Sequence, residues 1–162
     1  MKVLVYGSRG WIGQQFVNIL TAAKVNFVIG EARLDDPDSV SSEIDICQPT
    51  HVVSFTGRTY GAIGDTQYTT IDYLEQPGKL VDNVRDNLFA PITLALLCRA
   101  KNIHYTYLGT GCIFSYNDNS HPYGKPENGF TEDSLPNFFG SSYSVVKGYT
   151  CLLYTSPSPR DS

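Results

Sequence analysis

Four residues have the types and spacing to share one reaction: Thr110, Cys112, Tyr143 and Lys147. The first two lie in Leu108-Gly109-Thr110-Gly111-Cys112-Ile113-Phe114, straight after the β-prone run His104-Tyr105-Thr106-Tyr107. A hydroxyl and a thiol two residues apart at a strand exit put two proton-handling groups where open parallel sheets bind ligands. The competing reading is a packed cysteine at a buried strand end, because free cysteine is among the most buried residue types. Tyr143 and Lys147 fall one helical turn apart, on one face. A free phenol titrates at about pH 10, and a neighbouring cation favours its ionised form. A lowered pKa is therefore expected for Tyr143, as general acid for a carbonyl receiving hydride or as base in the reverse reaction. Thr110 can hydrogen-bond the same carbonyl oxygen, and Lys147 can also hold a nicotinamide ribose. Tyr-x-x-x-Lys alone is a common string. It gains specificity from a glycine loop at the start of the chain and a hydroxyl about 33 residues upstream of Tyr143.

The elements that must position these groups alternate. Lys2 to Tyr6 reads as a strand, and Ile12, Phe16, Ile19, Leu20 and Ala23 as one face of a helix. Between them, Gly7 permits a tight turn, Gly10 lets a pyrophosphate approach the backbone, and Gly13 lets helix and sheet pack closely. Free N–H groups at the helix start would meet the phosphates. Val25 to Ile29 is the expected second strand, leading to Glu31 and Arg33. An acid there suits the ribose hydroxyl of NAD, and an arginine the 2′-phosphate of NADP. With Arg9 as a second cation, the balance tips to NADP(H), with NAD(H) not excluded. Asp36-Pro37 reads as an N-cap with proline at the first helical position, opening a helix to about Cys47. His51 to Phe55 is a strand with Thr56-Gly57-Arg58-Thr59 as its exit loop. Tyr60 to Pro77 is expected as a long polar connection, a binding loop or an insertion. Leu80 to Ala100 has helical spacing, with Pro91 marking a kink or a change of register. A second long loop, Ser115 to Ser142, precedes a helix from Tyr143 capped by Ser141 or Ser142. The order βαβαβαβ, then a helix, specifies an α/β fold: a Rossmann-type doubly wound parallel sheet.

The chain has 162 residues, 41% of them hydrophobic and 17% charged, enough to bury a core. A net charge of −4 argues against a nucleic-acid partner. No apolar run reaches the roughly 18–20 residues of a membrane span, and a strand starting at Lys2 leaves no room for a signal peptide. The four cysteines show neither metal-ligand nor disulfide spacing, so a reducing, cytoplasmic setting is expected and no metal. His51 and His104 read as strand residues, and Cys98 as packing. Cys151 to Asp161 matches, residue for residue, the translation of a transposase-type sequencing adapter. The expectation is that residues 1–150 form a truncated dinucleotide-binding domain and that 151–162 are a non-native tail.

Gly-x-x-Gly-Trp-Ile-Gly, Thr110-Gly111-Cys112-Ile113-Phe114 and Pro136-Asn137-Phe138-Phe139-Gly140-Ser141-Ser142-Tyr143-Ser144 resemble the extended short-chain dehydrogenase/reductases acting on nucleotide sugars. More narrowly, they resemble the bifunctional 3,5-epimerase/4-reductases of UDP-L-rhamnose synthesis and the dTDP-4-dehydrorhamnose reductases. The resemblance covers Lys2 to Thr150. It implies Thr110, Tyr143 and Lys147 as a reductase triad, and Cys112 as an epimerising acid/base. Gly7, Gly10 and Gly13 would hold the pyrophosphate, Arg33 the 2′-phosphate and Asp35 the adenine edge. Arg9, Trp11, Ile12, Thr56, Gly57 and Lys147 join the cofactor-binding set, and Asn87 matches a structural asparagine. The implied substrate is a 4-keto-6-deoxy nucleotide sugar, and a homodimer of the full-length protein stays open. Gly109 departs from a small alanine or serine, and the second epimerising residue of the family would lie beyond Thr150. Two alternatives remain: a non-catalytic NADP-binding regulatory subunit, for which a thiol at 112 has no use, and a simple 4-reductase.

Overall fold

A computed structural model describes residues 1–116, 129–131 and 133–155, with only the backbone for 154 and 155. The expected cap region at Ser141 lies within this range, whereas much of the loop from Ser115 to Ser142 lies outside it. The chain forms two compact units.

The first unit comprises Met1–Arg58 and Val84–Leu108. Its sheet has four parallel strands in the order β2-β1-β3-β6: β1 is Lys2–Tyr6, β2 Asn26–Ile29, β3 His51–Ser54 and β6 His104–Tyr107. From β1 the chain winds outward through helix α1 (Trp11–Ala22) to β2, then returns through α2 (Pro37–Cys47) to β3 on the other side of β1. That reversal creates the topological switch point at which open α/β sheets bind ligands. β1 is apolar and buried from Val3 to Tyr6, as a central parallel strand covered on both faces must be. One face packs Leu4, Tyr6, Val40, Ile44, Val52, Leu94 and Cys98, and the other Val3, Val5, Leu20 and Val53. At α2, Asp36 accepts from the Ser39 N–H at 3.2 Å, with Pro37 in the first turn, as the sequence specifies.

The second unit comprises the described residues of Thr59–Asn83 and Gly109–Ser162. It corrects the expectation of an irregular connection from Tyr60 to Pro77. Gly61–Ile63 (β4) and Thr66–Tyr68 (β5) form an antiparallel hairpin, with Gly64 at φ +56°, followed by a 3₁₀ turn at Ile71–Tyr73. The hairpin escaped the sequence reading because three-residue strands are too short to show alternation. A second 3₁₀ turn, Gly111–Ile113, holds Cys112, and helix α5 spans Ser142–Thr155.

Leu80 to Ala100 is helical but not uniform. α3 (Leu80–Val84) passes into a π turn at Arg85–Phe89, and α4 (Ala90–Ala100) follows. Pro91 has no N–H to donate. The wider turn, in which the Ala90 N–H reaches the Arg85 carbonyl, shifts the register just before it. Among the described residues, no helix is long and apolar enough to cross a membrane.

Candidate active site

In the first unit the glycine turn is set by sterics. Gly7 has φ +78°, and a Cβ there would come within 2.8 Å of the Phe55 carbonyl carbon, so β1 and β3 exit backbone against backbone. At Gly13 a Cβ would strike the Gly7 carbonyl oxygen at 2.2 Å, which is why α1 can start only with glycine at this point. Gly10 differs, since a Cβ there would meet nothing nearer than that oxygen at 3.5 Å. The fold itself therefore has no need of glycine at position 10, but a phosphate approaching the backbone does. Gly10 is the N-cap of α1 and offers no side-chain hydrogen bond, which leaves the first N–H groups for an anion. Trp11 and Ile12 are exposed beside it, as is Arg9, whose carbonyl accepts from Gln14. This cradle fits a dinucleotide pyrophosphate.

The exit of β3 is held by polar contacts. The Thr56 hydroxyl bonds Ser54 Oγ at 2.7 Å, and Gly57 is exposed. Asn87, fully buried in the π turn, accepts from the Arg58 N–H and donates to the Arg58 carbonyl, both at 2.9 Å. After β2, the Glu43 carboxylate accepts from the Tyr6 hydroxyl and from the N–H groups of Glu31 and Ala32. That carboxylate fixes the turn leading to Arg33. Arg33 forms a bidentate pair with Asp35 at 3.0 and 2.7 Å, and Arg85 reaches the same carboxylate at 3.7 Å. Asp35 thus bridges the two cations, and its pKa is lowered by the Arg33 hydrogen bond. Sequence spacing showed Arg33 as a cation but not its engagement with Asp35.

In the second unit the structure brings together Thr110, Cys112, Tyr143 and Lys147. The Thr110 hydroxyl accepts from the Cys112 N–H at 3.2 Å and acts on the Tyr143 phenol, drawing its pKa down. Cys112 is exposed, and a thiolate there would act electrostatically on the phenol. The Lys147 ammonium lies 5.9 Å from the centre of the Tyr143 ring. Both Tyr143 and Lys147 are buried. Burial corrects the expected electrostatics: it raises the Tyr143 pKa, and Thr110 offsets this only in part. It also lowers the Lys147 pKa to about 8. Desolvation penalises any charged form, so burial drives both groups toward their neutral forms.

Three supports were missed in the sequence. Asn137 accepts from the Ser115 N–H at 2.7 Å and returns a bond to the Ser115 carbonyl at 3.0 Å, while the Asn137 and Phe138 N–H groups bond the Ile113 carbonyl. This pins the turn carrying Cys112. Asn83 donates to Ser142 Oγ, and Glu75 accepts from the start of α5. Asn137 lay within a quoted motif, whereas nothing in local periodicity marks Glu75 or Asn83. Among the described residues no group of three His, Cys, Asp or Glu side chains is placed to hold a metal.

A parallel sheet ordered β2-β1-β3-β6, a glycine turn at its switch point and a Thr–Tyr–Lys constellation frame the comparison with known proteins. No family model matches the chain. The mimivirus protein L780 is 52% identical over 150 residues, covering 93% of this chain and 50% of that protein. The crystal structure of L780, described as a UDP-rhamnose synthase of Acanthamoeba polyphaga mimivirus, superposes with a TM-score of 0.83 at 51% identity, covering 94% of this chain and 51% of the other. The chain is related to the extended short-chain dehydrogenase/reductases. It is related to L780 and to a bifunctional dTDP-4-dehydrorhamnose 3,5-epimerase/reductase of Arabidopsis thaliana, 36% identical over 89% of this chain and 44% of that one. A Bacillus anthracis dTDP-4-dehydrorhamnose reductase, solved in complex with NADP, shares the fold at 15% identity, with a TM-score of 0.72 over 95% of this chain and 48% of that one. The chain spans about half the length of the relatives it matches.

Proposed function

We propose that residues 1–150 belong to an NADP(H)-dependent nucleotide-sugar epimerase/reductase that converts UDP-4-keto-6-deoxy-glucose to UDP-L-rhamnose. The observation that carries this reading is the grouping of Thr110, Cys112, Tyr143 and Lys147 at one place, with Thr110 acting on the Tyr143 phenol. The relation to L780 narrows the substrate class. The 4-keto group of such a sugar acidifies the C–H bonds at C3 and C5. Cys112, exposed on its pinned turn, serves one face of the sugar, taking the proton there while its partner delivers one to the other face, or the reverse. Its partner on the opposite face of the sugar would come from the remainder of a longer chain. Bound NADPH supplies the hydride that reduces C4. Tyr143 gives its phenolic proton to the C4 oxygen, and Thr110 orients that phenol. Burial keeps the phenol protonated, which suits an acid. Gly7, Gly10 and Gly13 with Trp11 and Ile12 hold the pyrophosphate. Arg33 and Arg9 would supply positive charge for the 2′-phosphate of NADP(H), and Thr56 and Gly57 would line the cofactor site.

Residues 151–162 are an appended tail in this reading, and codons at the native locus that encode them would refute that part. The 162-residue chain by itself is expected to give no turnover. Full-length enzyme, supplied with the 4-keto sugar and NADPH in deuterated water, should place deuterium at C3 and C5 and oxidise NADPH. Cys112→Ser should abolish the deuterium. Reduction without exchange would leave a plain 4-reductase. Cofactor binding with neither would leave a regulatory subunit.

A further inference from the structure

An α-helix begins with four N–H groups that have no partner inside it. In α5 three of them, on Ser142, Tyr143 and Ser144, are met by side chains. The Ser144 N–H donates to Ser141 Oγ at 3.1 Å and the Val145 N–H to the Ser141 carbonyl at 3.1 Å, so Ser141 is the cap. The two remaining groups, the N–H of Ser142 and that of Tyr143, both donate to the Glu75 carboxylate, at 3.0 and 3.1 Å. Ser142 Oγ donates a further bond to Glu75 at 2.8 Å and accepts one from the fully buried Asn83 at 3.2 Å. The residues just before Glu75 form the other half of the same seat, since Tyr73 and Leu74 pack against the Tyr143 ring.

A helix with a serine cap has little need of a second cap for its own stability. A carboxylate brought from 67 residues away must order a long connection first. What it adds is location: one short segment, Ile71 to Glu75, grips both the backbone and the ring of Tyr143. We propose that Glu75 is a positioning residue for Tyr143, its carboxylate fixing the first turn of α5 so that the phenol meets the Thr110 hydroxyl. The inference rests on the reading of Tyr143 as the proton donor. The carboxylate is ionised in this place. Burial pushes the Glu75 pKa up, but the bonds from Ser142 and Tyr143 outweigh it and leave the value lowered. An anion at the positive end of α5 is favourable in its own right. Among the described residues, the ionisable groups facing Tyr143 are Cys112 from the turn Gly111–Ile113, Lys147 from α5 and, on the seat, Glu75 and Tyr73, whose hydroxyl donates to Asp82.

The test compares wild type, Glu75→Ala and Glu75→Gln in the full-length enzyme. Hydrogen exchange at the Ser142 and Tyr143 amides and the tyrosinate absorbance lost in Tyr143→Phe are measured beside kcat and KM for NADPH. Glu75→Ala should lower kcat about tenfold or more with KM for NADPH nearly unchanged, because a small misplacement of a reacting group is costly. It should also speed exchange at both amides. Glu75→Gln, whose amide oxygen can still accept from them, should recover most of kcat and slow exchange again. Both variants remove a negative charge, so the Tyr143 titration should move to lower pH. Wild-type exchange and kcat in Glu75→Ala would overturn the proposal. So would a Glu75→Gln enzyme as impaired as Glu75→Ala in both measures, since that would make charge and not position decisive. If wild type itself fails to reduce the sugar, the functional reading falls, and amide exchange in the two variants still decides whether Glu75 seats Tyr143.

Discussion

The two units hold their functional groups by different physics. In the first, the glycine turn is fixed by repulsion: a Cβ at Gly13 has 2.2 Å to the Gly7 oxygen and nowhere to go. In the second, the Thr110–Tyr143 pair depends on attraction: Glu75 accepts from the Tyr143 N–H, Asn83 donates to Ser142 and Asn137 accepts from the Ser115 N–H, with Glu75 and Asn83 far off in sequence. Steric exclusion tolerates no substitution but leaves a local signature. A polar network can be altered by degrees and leaves none.

The largest effect expected from this contrast is at the glycines. Gly13→Ala should lower the Tm by an amount matching about 3 kcal/mol, as overpacking against rigid backbone does. Gly10→Ala, with 3.5 Å of room, should melt with wild type yet bind NADPH more weakly in a fluorescence titration. Equal melting losses in the two variants would erase the distinction between a glycine the fold needs and one a ligand needs.

A smaller effect separates the units by pH. The Lys147 pKa is depressed to about 8 in the fold by burial, against about 10.4 for a free lysine. Between those values the unfolded chain binds more protons than the folded one, so stability rises with pH across that window. Below about pH 8 the fold bears the full cost of the buried charge. Tyr143 works in the opposite sense at the alkaline end, its raised pKa costing stability above about pH 10. Lys147→Met should flatten the rise between pH 8 and 10 in denaturant titrations, while leaving the acid limb intact. An unchanged profile would mean that Lys147 is solvated.

The smallest effect compares like with like. Asp36→Ala and Ser141→Ala each remove one helix cap, and each should cost about 1 kcal/mol. If Glu75 shares the work at α5, the Ser141 variant should lose less than the Asp36 variant in thermal melts.

What the sequence disclosed follows the same divide. The parallel sheet, the glycine turn and the Asp36-Pro37 start of α2 were legible, because each depends on residues adjacent in the chain. The grouping of Thr110, Cys112, Tyr143 and Lys147 was legible as residue types at family spacing. The direction of the Tyr143 pKa was not, because burial depends on Tyr73 and Leu74, some seventy residues away. The hairpin β4–β5 was too short to show a period. Arg33 read as a free cation because its partner's orientation is a matter of side-chain geometry.

The wide turn at Arg85–Phe89 carries a consequence for insertions and deletions. It holds one residue more than an α-helical turn in the same place. Losing that residue would restore an unbroken helix and rotate everything after it by about 100°. Asn87 could then keep its grip on Arg58, or Leu94 and Cys98 could keep their places in the core, but not both. Along most of α4 side chains can be exchanged for others of similar volume. Within these five residues the count itself is constrained, and a one-codon deletion there should be among the most damaging this chain can suffer.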